Sequence, residues 1–242
     1  MNDVTHRLDA AVDRATTLMS DKLAEVKPKL RGWMHTAVAP LAIAAFVVLI
    51  VLSPTTGTRI GSAIFAASAI LLFTVSSIYH RGTWSPKTWA FLRRFDHANI
   101  FVLIAGTYTP YAVLFLHGRS LLTLLLIVWG ATLAGVFFRV FWVDAPRWLY
   151  TPMYIALGWA AVFFIPDFIH GAHRFSNGIA IATLVLVAIG GLLYTLGGVV
   201  YGLKRPNPWP RWFGFHEIFH AFTVAAFIAH YIGVSLATYS LR

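Results

Sequence analysis

The chain has 242 residues, 58% hydrophobic and 12% charged, and carries a formal charge of +10 from 19 Lys+Arg against 9 Asp+Glu. Water-soluble domains carry about a quarter charged residues, so the composition excludes an ordinary soluble domain and leaves an integral membrane protein. Cysteine is absent, which removes disulfides, thiolate metal ligands and a thiol nucleophile together. In a membrane chain an excess of basic residues reports topology rather than nucleic-acid binding, and no nucleic-acid partner is expected.

The chain opens on a polar segment in which Val4, Leu8, Val12, Ala15, Leu18 and Met19 recur at helical spacing among charged residues. This reads as an amphipathic helix or a solvated tail over residues 1–30, ahead of a membrane domain over 31–242. The first long apolar run begins near Trp33, too late for the core of a cleavable signal peptide, so no segment is expected to be removed.

Seven apolar stretches follow: Trp33–Leu52, Arg59–Tyr79, His97–Leu116, Leu121–Phe141, Trp148–Phe168, Gly178–Val200 and Phe213–Tyr239. Each is close to the roughly 20 residues that cross a hydrocarbon core. The expected fold is therefore all-α, a seven-transmembrane-helix bundle. Fifteen Lys and Arg fall in the N-terminal tail and the 2–3, 4–5 and 6–7 loops, and four (Arg59, Arg119, Arg174, Arg242) on the other side. That asymmetry predicts a cytoplasmic N-terminus and an outside C-terminus. Pro40 and Pro110 inside spans 1 and 3 predict kinks. The Gly190-Gly191 and Gly197-Gly198 pairs in span 6 predict close packing against another helix.

Ionisable residues inside spans are costly and ask for a partner or a task. His80 ends span 2, Asp96 and His97 open span 3, and His216, Glu217 and His220 lie at the start of span 7. With alternating crossings these three ends share one leaflet, the cytoplasmic one. His216 and His220, four apart on a helix, lie about 40° apart around the axis and roughly 6 Å apart along it, so both rings can reach one ion. His80 can supply a third nitrogen, leaving a fourth position open, as in catalytic zinc sites. Nitrogen ligands without thiolates favour zinc over calcium or magnesium. His35, His117 and His170 are expected to lie outside this set.

Ser76-Ser-Ile-Tyr-His80, Phe95-Asp-His-Ala-Asn-Ile-Phe-Val-Leu-Ile-Ala-Gly-Thr-Tyr-Thr-Pro110 and His216-Glu-Ile-Phe-His220 resemble the three signatures of the hemolysin III proteins, members of the progestin and adiponectin receptor (PAQR) family. The similarity extends through Lys29-Leu-Arg-Gly-Trp-Met-His35 and Tyr201-Gly-Leu-Lys-Arg-Pro-Asn-Pro-Trp-Pro210. The resemblance implies a seven-helix bundle of the bacterial plasma membrane, with zinc on His80, His216 and His220 and the family's serine and aspartate at Ser76 and Asp96. It also implies a lipid or fatty-acyl substrate, because related receptors and alkaline ceramidases are viewed as zinc-dependent hydrolases of lipid amides.

In that reading Asp96 is the first candidate for the base that accepts a proton from water, and Ser76 bonds or orients the site. Glu217 is the rival base by analogy with soluble metalloproteases. Adiponectin receptors resemble this chain yet carry an amide there, so a surface or loop-contact role is expected instead. Two other functions fit the same residues: a receptor or membrane-state sensor with structural zinc, and an intramembrane protease. The protease reading is disfavoured because no acidic residue follows span 7.

Overall fold

With no water to bond its backbone, a long apolar segment inside a membrane satisfies its N–H and C=O groups by coiling into a helix. The computed structural model describes residues 28–142 and 144–242; the amphipathic reading of Val4 to Met19 lies outside them. Among the described residues the only extended pairing is an isolated bridge between Trp209 and Phe213. Everything else that is regular is helical: α1 (Trp33–Leu52), α2 (Thr56–Arg81), α3 (Pro86–Phe115), α4 (Gly118–Phe141), α5 (Arg147–Gly158), a 3₁₀ segment (Ala160–Phe164), α6 (Ile165–Ala172), α7 (Asn177–Leu203) and α8 (Phe215–Tyr239). With α5, the 3₁₀ segment and α6 taken as one crossing, the described residues hold seven helices long and apolar enough to span a membrane. The chain is an integral membrane protein.

Local signals set the helix starts. Thr55 and Thr58 form a reciprocal capping box at the head of α2. Ser85 accepts from Thr88 N–H and Pro86 occupies the first turn of α3, where its missing N–H costs nothing. The α3 helix therefore begins at Pro86, well before His97, where the apolar stretch starts. Asp96 and His97 sit in its third turn rather than at its mouth. Pro40 and Pro110 lie within α1 and α3, which continue on both sides of them.

The bundle packs around α3, whose most apolar window is 72% buried against 22% for α1 and 17% for α7. Leu41, Val51, Leu126, Phe163 and Ile181 face outward, exposed, as lipid-facing residues must be. Phe46, Phe65, Phe73 and Phe227 meet in edge-to-face or tilted contacts at 5.0 to 5.8 Å between α1, α2 and α8, each worth about 0.5–1.5 kcal/mol beyond area burial. The α7–α8 pair is the most extensive helix contact, as the glycines of α7 predict: Gly190 and Gly197 are buried against His230 and Phe222 of α8.

The fifth crossing departs from the continuous helix expected over Trp148–Phe168. It breaks after Gly158 and restarts at Ile165, with Pro166 in the first turn of α6. The break frees backbone groups in a region without bulk water, and a side chain of α3 takes them up. The Tyr108 hydroxyl donates to Gly158 O at 2.6 Å and accepts from Ala161 N–H at 3.0 Å. Removing that hydroxyl leaves a carbonyl and an N–H unpaired. Tyr108→Phe is expected to lower unfolding stability by about 1–2 kcal/mol, measured by thermal unfolding in detergent, whereas Tyr239→Phe at the end of α8 should change it little.

Candidate metal centre

The site is assembled where α1, α2 and α8 meet. Just before α1, Lys29 N–H and Leu30 N–H donate to Arg211 O and Trp212 O at 3.0 and 3.2 Å, tying this segment to the loop that precedes α8. Arg31 Nε then pairs with Glu217 Oε1. Gly32 follows with φ +82°, a left-handed conformation that disfavours any side chain. A Cβ at Gly32 would lie 2.8 Å from His80 Cβ, so the glycine also lets the start of α1 rest directly on the end of α2.

Three histidines converge there. His80 in the last turn of α2, and His216 and His220 in the first two turns of α8, are buried, and one ring nitrogen of each lies within 4.8 Å of the other two. His80 Nε2 and His216 Nε2 are 3.3 Å apart. Two nitrogens bound to a tetrahedral zinc at about 2.0–2.1 Å lie about 3.3–3.4 Å from each other, so this spacing already suits a shared ion. His220 Nδ1 is buried without a hydrogen-bond partner. Three imidazoles, no thiolate and an orphaned ring nitrogen fit a zinc-like ion.

Asp96 and Ser76 complete the cluster. Asp96 Oδ2 stands 3.7 Å from His80 Nε2 and 3.9 Å from His97 Nδ1. Ser76, one turn before His80 and 1% exposed, turns its hydroxyl to the Asp96 carboxyl. His97 is occupied on both sides: Nδ1–H donates to Arg93 O at 2.7 Å, which leaves Nε2 to accept from the Tyr201 hydroxyl at 3.1 Å. It is thus a fixed polar wall and not a further ligand. The five residues singled out in the sequence, Ser76, His80, Asp96, His216 and His220, are brought together.

One residue differs in part from the sequence-based expectation, and a second stays outside the three-histidine set yet touches it. Glu217 has a loop contact, as expected, but it is not at the surface: it is 0% exposed, and besides Arg31 its Oε2 accepts Gly214 N–H at 2.8 Å, capping α8. Its carboxylate is fully engaged in holding the helix start. His35, set aside in the sequence, stacks on His220 at 3.9 Å with the planes 11° apart, and both of its buried nitrogens lack partners. The available signal was its depth: His35 follows Gly32 by less than one turn at the same end of the bundle. His117 and His170 do lie elsewhere, the former beside Arg174 and the latter beside His173.

The cluster forms one end of a long cavity. From Asp96 and His97 it follows α3 past Ile100, Ile104 and Thr107 to Tyr111, roughly 22 Å at 1.5 Å per residue. Its volume is about 150 Å³, and among the described residues no Lys or Arg lines it. The walls are mostly apolar, with the acid and the histidine cluster confined to one end.

The Arg31–Glu217 pair generates a prediction. Removing one partner of a buried ion pair costs about 3–5 kcal/mol, because the other charge is stranded. Arg31→Ala should therefore lower thermal stability in detergent severely. Adding Glu217→Gln should restore much of the loss, since an amide oxygen still accepts from Gly214 without carrying charge.

A model of the family described as Haemolysin-III related matches residues 23–231 of this chain. The chain is 33% identical over 197 residues to the Hemolysin-3 homolog of Bacillus subtilis (strain 168), covering 80% of this chain and 86% of that protein. It is 30% identical over 195 residues to Hemolysin-3 of Bacillus cereus, covering 78% and 82%. A more distant similarity, 26% over 189 residues, links it to the adiponectin receptor protein of Drosophila melanogaster, covering 71% of this chain and 41% of that one. These matches, on a helical membrane fold with a three-histidine cluster, place the chain in the haemolysin III family, with a wider relationship to the adiponectin receptors.

Proposed function

We propose that this protein is a zinc-dependent hydrolase of a lipid amide or ester that acts in membrane lipid homeostasis. The observation that carries the reading is a three-histidine cluster of which His216 and His220, with Asp96, line the polar end of a long apolar cavity, His80 touching them from behind. Such a cavity suits a fatty-acyl chain, and its polar end suits the bond that joins the chain to a headgroup. We further propose that this end faces the cytoplasmic side of a bacterial plasma membrane, since the basic residues concentrate there.

His80, His216 and His220 would hold the ion. When bound, zinc supplies Lewis-acid polarisation of a carbonyl and of water. The remaining work falls to the chain's own groups. Asp96 Oδ2, beside His80 and not engaged by an Arg or Lys in any ion pair found among the described residues, is placed to accept a proton from an attacking water. Ser76 holds that carboxylate in orientation. Ile100, Leu103 and Ile104 position the acyl chain and keep bulk water from the cavity beyond Asp96. Glu217, tied to Arg31 and Gly214, is not available as the base, which removes the main support for a protease mechanism built on the His-Glu-x-x-His string.

A sensor with structural zinc is the second reading, supported by the similarity to a protein named as an adiponectin receptor. The two readings differ in what Asp96 must do.

Metal content is the first test. Purified protein should hold about one zinc per chain, and alanine at His80, His216 or His220 should remove most of it. His117→Ala and His170→Ala should not, and His35→Ala, which removes only a ring packed on His220, should weaken affinity about tenfold. Full zinc retention in His216→Ala would refute the ligand set.

Turnover is the second test. Asp96→Asn should keep the fold and most of the zinc while reducing release of fatty acid from amide or ester lipids by about 10²–10⁴. Glu217→Gln, whose amide oxygen can still accept from Arg31 or Gly214, should be less stable yet retain substantial activity in the folded fraction. Wild-type turnover that survives Asp96→Asn, or zinc-loaded wild-type protein that releases no fatty acid, counts for the sensor.

A further inference from the structure

Farther along the same cavity stands a second polar group that plays no part in the chemistry above. His230 of α8 lies ten residues beyond His220, roughly 15 Å along the helix. Tyr194 of α7 lies seven residues, roughly 10 Å, from Tyr201, whose ring is 5.5 Å from His216. The Tyr194 and His230 rings stack at 5.6 Å with planes 18° apart, and both residues line the cavity.

The pair is held in place. The Tyr111 hydroxyl donates to His230 O at 3.0 Å, which fixes that turn of α8. Gly190 gives the imidazole its space: a Cβ there would lie 2.5 Å from His230 Nε2. The other hydroxyls along this part of the wall are already bonded to the protein. Thr107 donates to Leu103 O, Thr223 to Phe219 O, Thr195 to Gly191 O and Tyr108 to Gly158 O. The Tyr194 hydroxyl and His230 Nδ1, by contrast, are buried and have no partner among the described residues, and His230 is only 6% exposed. Leaving two such atoms unpaired in an apolar wall is costly, and packing alone would be served better by Phe and Leu.

The chemistry of the pair limits what can satisfy it. A phenol and a neutral imidazole each offer a donor or an acceptor. Neither carries charge, and no Lys or Arg lines the cavity among the described residues, so a carboxylate or phosphate at this depth would be uncompensated. A plain hydrocarbon chain would leave both atoms unpaired. A neutral hydroxyl can give one hydrogen bond and accept another. We propose that Tyr194 and His230 form a recognition site for a hydroxyl group carried partway along the acyl chain of the bound lipid, an inference that rests on the reading of the cavity as a lipid site.

The test uses binding alone. Purified full-length protein in detergent micelles is loaded with the fluorescent fatty acid cis-parinaric acid, which is displaced by ricinoleic acid or by oleic acid, two acids that differ by one mid-chain hydroxyl. Wild-type protein should bind ricinoleic acid about three- to tenfold more tightly, the effect of one or two neutral hydrogen bonds. Tyr194→Phe keeps the ring and its stacking, and should erase most of the preference without weakening oleic acid. Equal binding of the two acids by wild-type protein, as when a trapped water satisfies the pair, or an unchanged preference in Tyr194→Phe, overturns the hydroxyl site while leaving the lipid cavity intact. Failure of both acids to displace the probe overturns the lipid cavity, and the hydroxyl site with it.

Discussion

The contact between Arg31 and Glu217 joins the segment before the first helix to the first turn of the last one, and the histidine cluster depends on that closure. A carboxylate at 0% exposure is costly to bury without a partner in a low-dielectric interior, and the partner comes from a residue far away in sequence. The neighbour of that residue is Gly32, whose missing side chain lets α1 lie on His80. Pairing one buried charge thus also sets the depth of His80 and brings His35 onto His220. The pairing explains why the glutamate of the His-Glu-x-x-His string has a structural task. Position 217 follows His216 by about 100° around the helix, so its side chain leaves the side shared by the two histidines and turns to Arg31.

The hydrocarbon environment reverses the usual distribution of polarity. Leu41, Val51, Leu126 and Phe163 face outward, while His35, Ser76, His97, Asn99, His216 and His230 are buried. Because lipid offers no hydrogen bonds, each inward polar group must be satisfied by a helix carbonyl, another side chain, an ion or a ligand. Most are satisfied by the protein. Among those that are not, two groups line the cavity, His220 with His35 at one end and Tyr194 with His230 farther along; the Thr151 hydroxyl lines it as well.

Hydropathy alone revealed the seven crossings, because the apolar runs are long and the connections short. The residues of the candidate metal centre were legible for a related reason. Alternating crossings force the end of span 2 and the starts of spans 3 and 7 to one depth, so His80, Asp96, His216 and His220 could be grouped before any geometry was known. What escaped was decided by long-range pairing. The polar first turns of α3 lack a hydropathy signal, although Ser85-Pro86 marks the start. The break in the fifth crossing depends on Tyr108, fifty residues earlier than Gly158, which no local pattern around Gly158 could reveal. The loop contact of Glu217 was legible but its full burial was not, because its cation lies across the bundle, and His35, rightly kept out of the ligand set, gave no sign of its stacking because helical periodicity does not say which ring another will meet.

The broken crossing also bears on how the cavity can exist. An apolar chamber between membrane helices needs one wall to stand back from α3, and a continuous straight helix at the fifth position would pack along its whole length. The change from α to 3₁₀ winding between Gly158 and Ile165 falls at the cavity's middle, where Gly158, Ala161 and Tyr108 all line it, and offers an interruption of such a helix. Tyr108 then removes the polar penalty of the break by bonding both freed backbone groups, so this stretch of wall offers nothing to a polar ligand. The cavity is therefore zoned: a polar end around Asp96 and the three histidines, a satisfied middle, and an unsatisfied pair at Tyr194 and His230. A molecule matched to all three zones must be polar at one end and apolar along its length, and it gains most if one neutral polar group interrupts its chain.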